Sequence, residues 1–163
     1  MENPLAVYLH DHMAGSKFAV ELLAALRESN RGDSVGEAAQ QLLARIEADR
    51  VVLERIIHRV GKSSPDVKTG LAWLSEKFAR IKLGSGAEWN LATLEVLETI
   101  ALGIRGKIAL WTVLAAVEPS DERLSDEDYQ GLIAEAKEQF RLADDTRMEV
   151  ARALFTGSVR AKE

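Results

Sequence analysis

KSSPDVKTGLAWLSEKFARIKLGSGAEW, Lys62 to Trp89, decides how the helices of this chain can be arranged. At 28 residues it is far longer than the roughly 2–8 residues that join antiparallel neighbours in a helical bundle. Ser63, Ser64 and Pro65 open it, Gly84, Ser85 and Gly86 close it, and a short amphipathic helix is predicted between them over 71–83. A connection this long lets the helix before it and the helix after it run in the same direction.

Two helix-patterned segments stand on each side. Upstream, Asn3 and Pro4 read as the N-cap and first position of a helix over 4–28, which the turn Ser29 to Asp33 closes. Ser34 with Glu37 three residues on reads as a capping box for a helix over 34–60, whose apolar positions Leu42, Ile46, Leu53, Ile56 and Val60 recur at helical spacing up to Gly61. Downstream, a helix over 90–118 runs through Leu94, Leu97, Ala101, Ile104, Ile108, Trp111 and Ala115 and stops at Pro119. Ser125 with Asp128 predicts the cap of a last helix over 125–156, with Tyr129, Leu132, Ala136, Phe140, Ala143, Val150 and Leu154 inward and Gly157 beyond its end. No stretch alternates as a strand does, so the fold class is all-α. Short, long, short is the order of connections of a ferritin-like up-down-down-up four-helix bundle, and 1–163 reads as one such domain. The rival is a plain up-down bundle with the small helix capping one end.

Composition narrows the functions open to such a bundle. Lys and Arg number 21 against 26 Asp and Glu, a net charge of −5, which argues against a nucleic acid partner. The absence of cysteine excludes disulfides, thiolate zinc sites and cysteine nucleophiles. Met1 to Pro4 lacks the basic-then-apolar layout of a signal peptide, and no uninterrupted apolar run approaches the roughly 18 residues of a membrane span. A cytoplasmic protein with no membrane span is therefore expected.

Ferritin-like di-iron centres draw one Glu from each of two helices and a Glu-x-x-His from each of the other two, because residues three apart share a helix face. The histidines here are His10, His12 and His58, and none stands three residues after a Glu. The corresponding stretches read Glu47-Ala48-Asp49-Arg50 and Glu138-Gln139-Phe140-Arg141. Arginine has no lone pair to give a metal, though a buried guanidinium could fill the charge hole left by one. On an exposed face the same Glu and Arg are a solvated pair of small weight. No cofactor is expected. The alternative is a degenerate carboxylate site that still holds iron or manganese, with His12, Glu47, Asp49, Glu95, Glu98 and Glu138 as donors and a role in oxidoreduction or metal handling.

Helical phasing puts His12 and Ser16 on the inward seam of the first helix and Asp49 on that of the second, so His12 and Asp49 are expected to meet. With Glu98 and Gln139 they would form either a weak metal site or a polar layer that fixes helix register. His10 and His58 are expected at the surface. Gly103 and Gly106, with Ala101 and Ala109, predict close approach by a neighbouring helix. Lys77, Arg80 and Lys82 accompany the apolar face of the helix over 71–83, which is expected to cover the bundle as a lid. No P-loop, dinucleotide glycine pattern, HExxH or nucleophile elbow occurs, and enzyme chemistry has no visible carrier.

The runs YLHDHMAGSKFAVELLAAL from Tyr8 to Leu26, LSEKFARIKLG from Leu74 to Gly84 and LEVLETIALGIRGKIALWTVL from Leu94 to Leu114 together resemble a family of small, functionally uncharacterised bacterial proteins with the ferritin-like fold. The resemblance implies the bundle with its crossover and implies no activity, since members with this pattern lack the complete ligand set. The reading that follows is a non-enzymatic binding or structural module. Its partners would be a second copy of the chain, met through exposed apolar positions, or a small molecule or peptide held in a pocket lined by Trp73, Trp89 and Trp111.

Overall fold

Four long helices make up nearly all of the residues that the computed structural model describes, 3–61 and 89–156. They are α1 (Pro4–Ser29), α2 (Ser34–Val60), α3 (Leu91–Val117) and α4 (Tyr129–Thr156), and the described residues contain no strand. Two single 3-10 turns, Glu118–Ser120 and Glu122–Leu124, link α3 to α4. The predicted helix over 71–83, Trp73 and the expected lid fall outside the described residues.

All four long helices start with a side chain accepting from an otherwise unpaired backbone N–H. Asn3 accepts from Ala6, as the sequence predicts, and Asn90 accepts from Thr93, so α3 begins one residue after the expected start. At α2 the cap is Asp33, which accepts from Gly36, and not Ser34. Freed from capping, the Ser34 hydroxyl bonds Glu149 of α4 at 3.0 Å. The start of α4 also differs from expectation. Asp128 accepts from the Gly131 N–H at 2.9 Å and the helix begins at Tyr129, while Ser125 closes the second 3-10 turn. Pro119 is the cause, since it ends α3 and the chain then needs both turns to come back alongside it.

The α1 helix packs along α2 and α3 packs along α4, with lighter contact between α1 and α3 and between α2 and α4. One core cluster joins Leu22, Leu23 and Leu26 of α1 to Leu42 and Ile46 of α2, Leu97 and Ile100 of α3, and Ala143 and Val150 of α4. A second joins Ala6 and Leu9 of α1 to Leu53 and Ile56 of α2, Trp111 and Leu114 of α3, and Tyr129 and Ala136 of α4. Between Leu9 and Leu22 no residue of α1 is buried. The middle of α1 is only partly buried, with Met13, Phe18 and Val20 packed against the two clusters.

The α3 helix is the most apolar. By length and composition, 91–120 could cross a membrane, with a mean hydropathy of 1.6 over its best window and 33% of that window buried. The search for an uninterrupted apolar run misses it because Gly103, Gly106 and a few charges punctuate the stretch. Leu91, Leu102 and Val113 are exposed, Leu102 to 73%. Spaced eleven apart, they fall on one face of α3.

Glu127, just ahead of α4, has a side chain only 7% exposed and receives Arg55 and Arg59 of α2, each at 2.9 Å. Arg59 also donates to the Arg123 carbonyl at 2.9 Å, so the turn between α3 and α4 is tied to the end of α2. Burial works against the Glu127 charge, but the bonds and charges of the two arginines outweigh it and hold the carboxyl below its usual range. The folded state thus binds its proton more weakly than the unfolded chain. The stabilisation is complete above the usual glutamate range and is lost as pH falls through the depressed value. Glu127→Gln should cost about 1–2 kcal/mol at pH 7. Urea melts at pH 7 and pH 3 check this, because the gap between the two proteins should shrink in acid; an unchanged gap would refute the role given to this carboxylate.

Candidate functional site

Beside the partly buried middle of α1, a cavity of about 480 Å³ opens between α1, α2 and α3. Such a volume lies in the range of small-molecule sites, roughly 300–1,000 Å³. Its wall is mainly apolar, with Leu22 from α1, Ile46 and Leu53 from α2, and Ile100, Ile104 and Leu110 from α3. Gly15, Gly103 and Gly106 also line it, and a Cβ added at any of the three would meet nothing within 4 Å. Among the described residues no helix makes the expected close approach at Gly103 and Gly106. A glycine inside a helix costs roughly 0.5–1 kcal/mol relative to alanine, and here no packing contact offsets it.

Polar groups gather at one part of this wall. Asp49 of α2 accepts from Lys107 of α3, and the same ammonium donates to the Gln139 carbonyl oxygen of α4. Gln139 in turn donates to Asp49 at 3.0 Å, which closes a ring of three side chains from three helices. Asp49 and Gln139 are buried and Lys107 nearly so. Burial pushes the Lys107 ammonium below its ordinary value, against the pull of Asp49 and of Glu135. Asp49 and Gln139 are thus brought together as the sequence predicts, but the third member is Lys107. Lys107 shares the three-then-four step of Ile104 and Trp111 on the apolar seam, but a lysine there reads as a surface residue until its partner on another helix is seen.

His12 and Asp49 line the same cavity without bonding each other, Asp49 being taken up by Lys107 and Gln139. The His12 ring packs edge-on to Tyr8 with centroids 4.7 Å apart. Burial lowers its pKa in spite of nearby Asp11, which keeps the ring neutral at pH 7. Ser16, also on the wall, bonds the Met13 carbonyl at 2.7 Å. Glu98 is exposed on α3 and faces Arg147 of α4 at 3.5 Å.

Of the remaining candidate donors, Glu47, Glu95 and Glu138 are exposed, and Glu138 pairs with Arg141 on its own helix. Arg141 is thus a solvated surface residue and fills no charge hole in the core. Among the described residues no three of His, Asp and Glu stand close enough to share a metal ion. His58 is exposed, as expected, whereas His10 is half-buried with its Nε2 shielded from solvent and unbonded.

Arg50 has a different environment from Arg141. It lines the cavity, is half-buried and makes no ion pair or hydrogen bond among the described residues, and its Nε is shielded from solvent. The Trp111 indole, also on the wall and 1% exposed, has an Nε1 with no partner. Trp89 and Trp111 do not share a pocket as expected, and Trp73 lies outside the described residues. Trp89 donates to Asp33 at 3.0 Å at the turn between α1 and α2, and of the described tryptophans only Trp111 reaches the cavity. Comparison with protein-family models, with curated proteins and with solved structures gives no match.

Proposed function

We propose that the protein is a non-enzymatic small-molecule-binding module built on a four-helix bundle of ferritin-like up-down-down-up order, without a resident metal. The two core clusters support that order. One gathers the end of α1, the starts of α2 and α3 and the end of α4, and the other gathers the opposite ends. Helices α2 and α3 then run the same way across the long connection, with α1 and α4 reversed. The lateral pairing of α1 with α3 and of α2 with α4 fits the same order.

The observation that carries the binding reading is the cavity beside Gly15, Gly103 and Gly106. Gly103 is exposed and Gly15 and Gly106 are half-buried, so the cavity opens to the surface, and no described residue fills the space beside the three glycines. The ring of Asp49, Lys107 and Gln139 fixes one wall of that volume. Ser16 and His12 both line the cavity, but the Ser16 hydroxyl bonds the Met13 carbonyl and not the imidazole, so among the described residues no nucleophile is bonded to a base and the reading stays with binding.

The test uses N-phenyl-1-naphthylamine, a neutral apolar probe whose emission rises in a dry site. Saturable binding at one site per chain is expected. In Gly103→Leu/Gly106→Leu, binding should fall at least tenfold with helicity unchanged. Absence of saturable binding to the natural protein would overturn the reading. Stoichiometric iron or manganese in protein purified without chelator would overturn its metal-free half.

A further inference from the structure

We propose that the cavity receives an amphipathic monocarboxylate, with its apolar body against the α1 and α3 walls and its carboxylate on Arg50. This rests on the cavity being a ligand site. The first argument is charge. Four ionisable groups besides Arg50 line the cavity: Asp11, His12, Asp49 and Lys107. Asp49 and Lys107 cancel each other within their ring with Gln139. His12 is neutral at pH 7, and Asp11 is exposed and its charge solvated. Among the described residues, Arg50 is left as the one half-buried charge on the wall with no counter-ion.

Hydrogen bonding is the second argument. A shielded N–H that bonds nothing costs its full desolvation, and the cost is greater when the group is a cation. Arg50 Nε and Trp111 Nε1 both stand in that position, on residues that line one cavity. Both are donors and neither can accept, but both are closed off from solvent, so an acceptor in the cavity meets only the terminal nitrogens of Arg50. A guanidinium matches a carboxylate by geometry as well as charge.

Apolar surface and charge number complete the assignment. Ile46, Leu53, Ile100 and Ile104 offer nothing to a polar ligand body, so a sugar or a nucleotide would lose its hydration without return. A phosphate monoester carries about −1.5 to −2 charges at pH 7, more than one guanidinium neutralises. A monoanion leaves no excess charge in a site of low polarity.

Calorimetric titration with octanoate, 1-octanol and octyl phosphate at pH 8 tests the assignment on the natural protein. Octanoate should bind at least tenfold tighter than 1-octanol, although the alcohol is the more hydrophobic, and octyl phosphate should bind more weakly than octanoate. In Arg50→Gln the preference for octanoate over 1-octanol should vanish while 1-octanol affinity stays the same, and Arg50→Lys should keep part of it. Equal affinities for the acid and the alcohol would overturn the carboxylate assignment and leave the cavity reading standing. Tighter binding of octyl phosphate would overturn it in favour of a phosphate ligand. Failure of all three to bind would overturn the cavity reading itself, and the natural protein alone decides that outcome.

Discussion

Gly36→Ala is expected to destabilise the protein by about 3 kcal/mol, the upper part of the usual range for overpacking a rigid site. An added Cβ would lie 2.0 Å from the Asn30 carbonyl oxygen and 2.8 Å from its carbon. Both are backbone atoms, so no side-chain rotation can relieve the clash. Asn30 itself is held twice to the end of α1, its N–H to the Leu26 oxygen at 3.1 Å and its Nδ2 to the same oxygen at 2.9 Å. Its carbonyl also receives the Asp33 N–H at 3.3 Å. Moving Asn30 therefore disturbs the end of α1, and moving Gly36 disturbs the Asp33 cap, which bonds the Gly36 N–H at 2.9 Å. For a chain of this size each kcal/mol lowers the melting temperature by about 2–4 °C, so a drop of roughly 6–12 °C is expected. Gly103→Ala supplies the control. Its Cβ meets nothing within 4 Å, and the gain in helix propensity should raise stability by about 0.5–1 kcal/mol. Two identical changes in helical glycines should thus move in opposite directions, and equal melting points for the two variants would contradict the account of both sites.

Helix existence was legible in the sequence because apolar spacing and punctuation agree, as at Asn3 and Pro4 or at Gly61, whose φ of 102° closes α2. Cap identity was less so. Asp33 and Ser34 both carry an acceptor one residue apart, and only the bond between Ser34 and Glu149 across the molecule separates their roles. The polar ring was half legible. Phasing puts Asp49 and Gln139 inward, but a lysine in an apolar run reads as a surface residue until a carboxylate on another helix holds it. The cavity was not legible, because it comes from side chains that are missing. Gly15, Gly103 and Gly106 suggest close packing as readily as open space, and only the surroundings the fold gives them decide between the two. Arg50 and Arg141 show the same limit from the other side. Both occur in Glu-x-x-Arg stretches, yet Arg141 is solvated beside Glu138 and Arg50 lines the cavity without a partner among the described residues.

Asp49→Leu should cost about 3–5 kcal/mol at pH 7, more than loss of the ion pair alone would predict, because it leaves the Lys107 ammonium buried without a counter-charge. Lys107 cannot simply turn to water, since its side chain is only 14% exposed and its remaining partner is the neutral Gln139. The penalty should depend on pH with a definite sign. Burial already places the folded-state pKa of Lys107 below its ordinary 10.5, and removal of Asp49 takes away the attraction that opposes this shift. Between the lowered folded value and the unfolded one, the unfolded chain binds the extra proton, so stability rises with pH through that interval. The gap between Asp49→Leu and the natural protein should accordingly narrow from pH 7 to pH 10. Asp49→Leu/Lys107→Met/Gln139→Leu removes every member of the ring and leaves no orphan. Replacing a buried polar set with apolar groups of similar volume is commonly neutral or stabilising by about 1–4 kcal/mol, so the triple variant should melt at or above the natural protein. Denaturant titrations at both pH values measure these differences directly. If the triple variant is as unstable as Asp49→Leu, the ring contributes net stability beyond charge compensation. If it is stable, what the ring adds is a fixed register of α2, α3 and α4 around the cavity, at some cost in free energy.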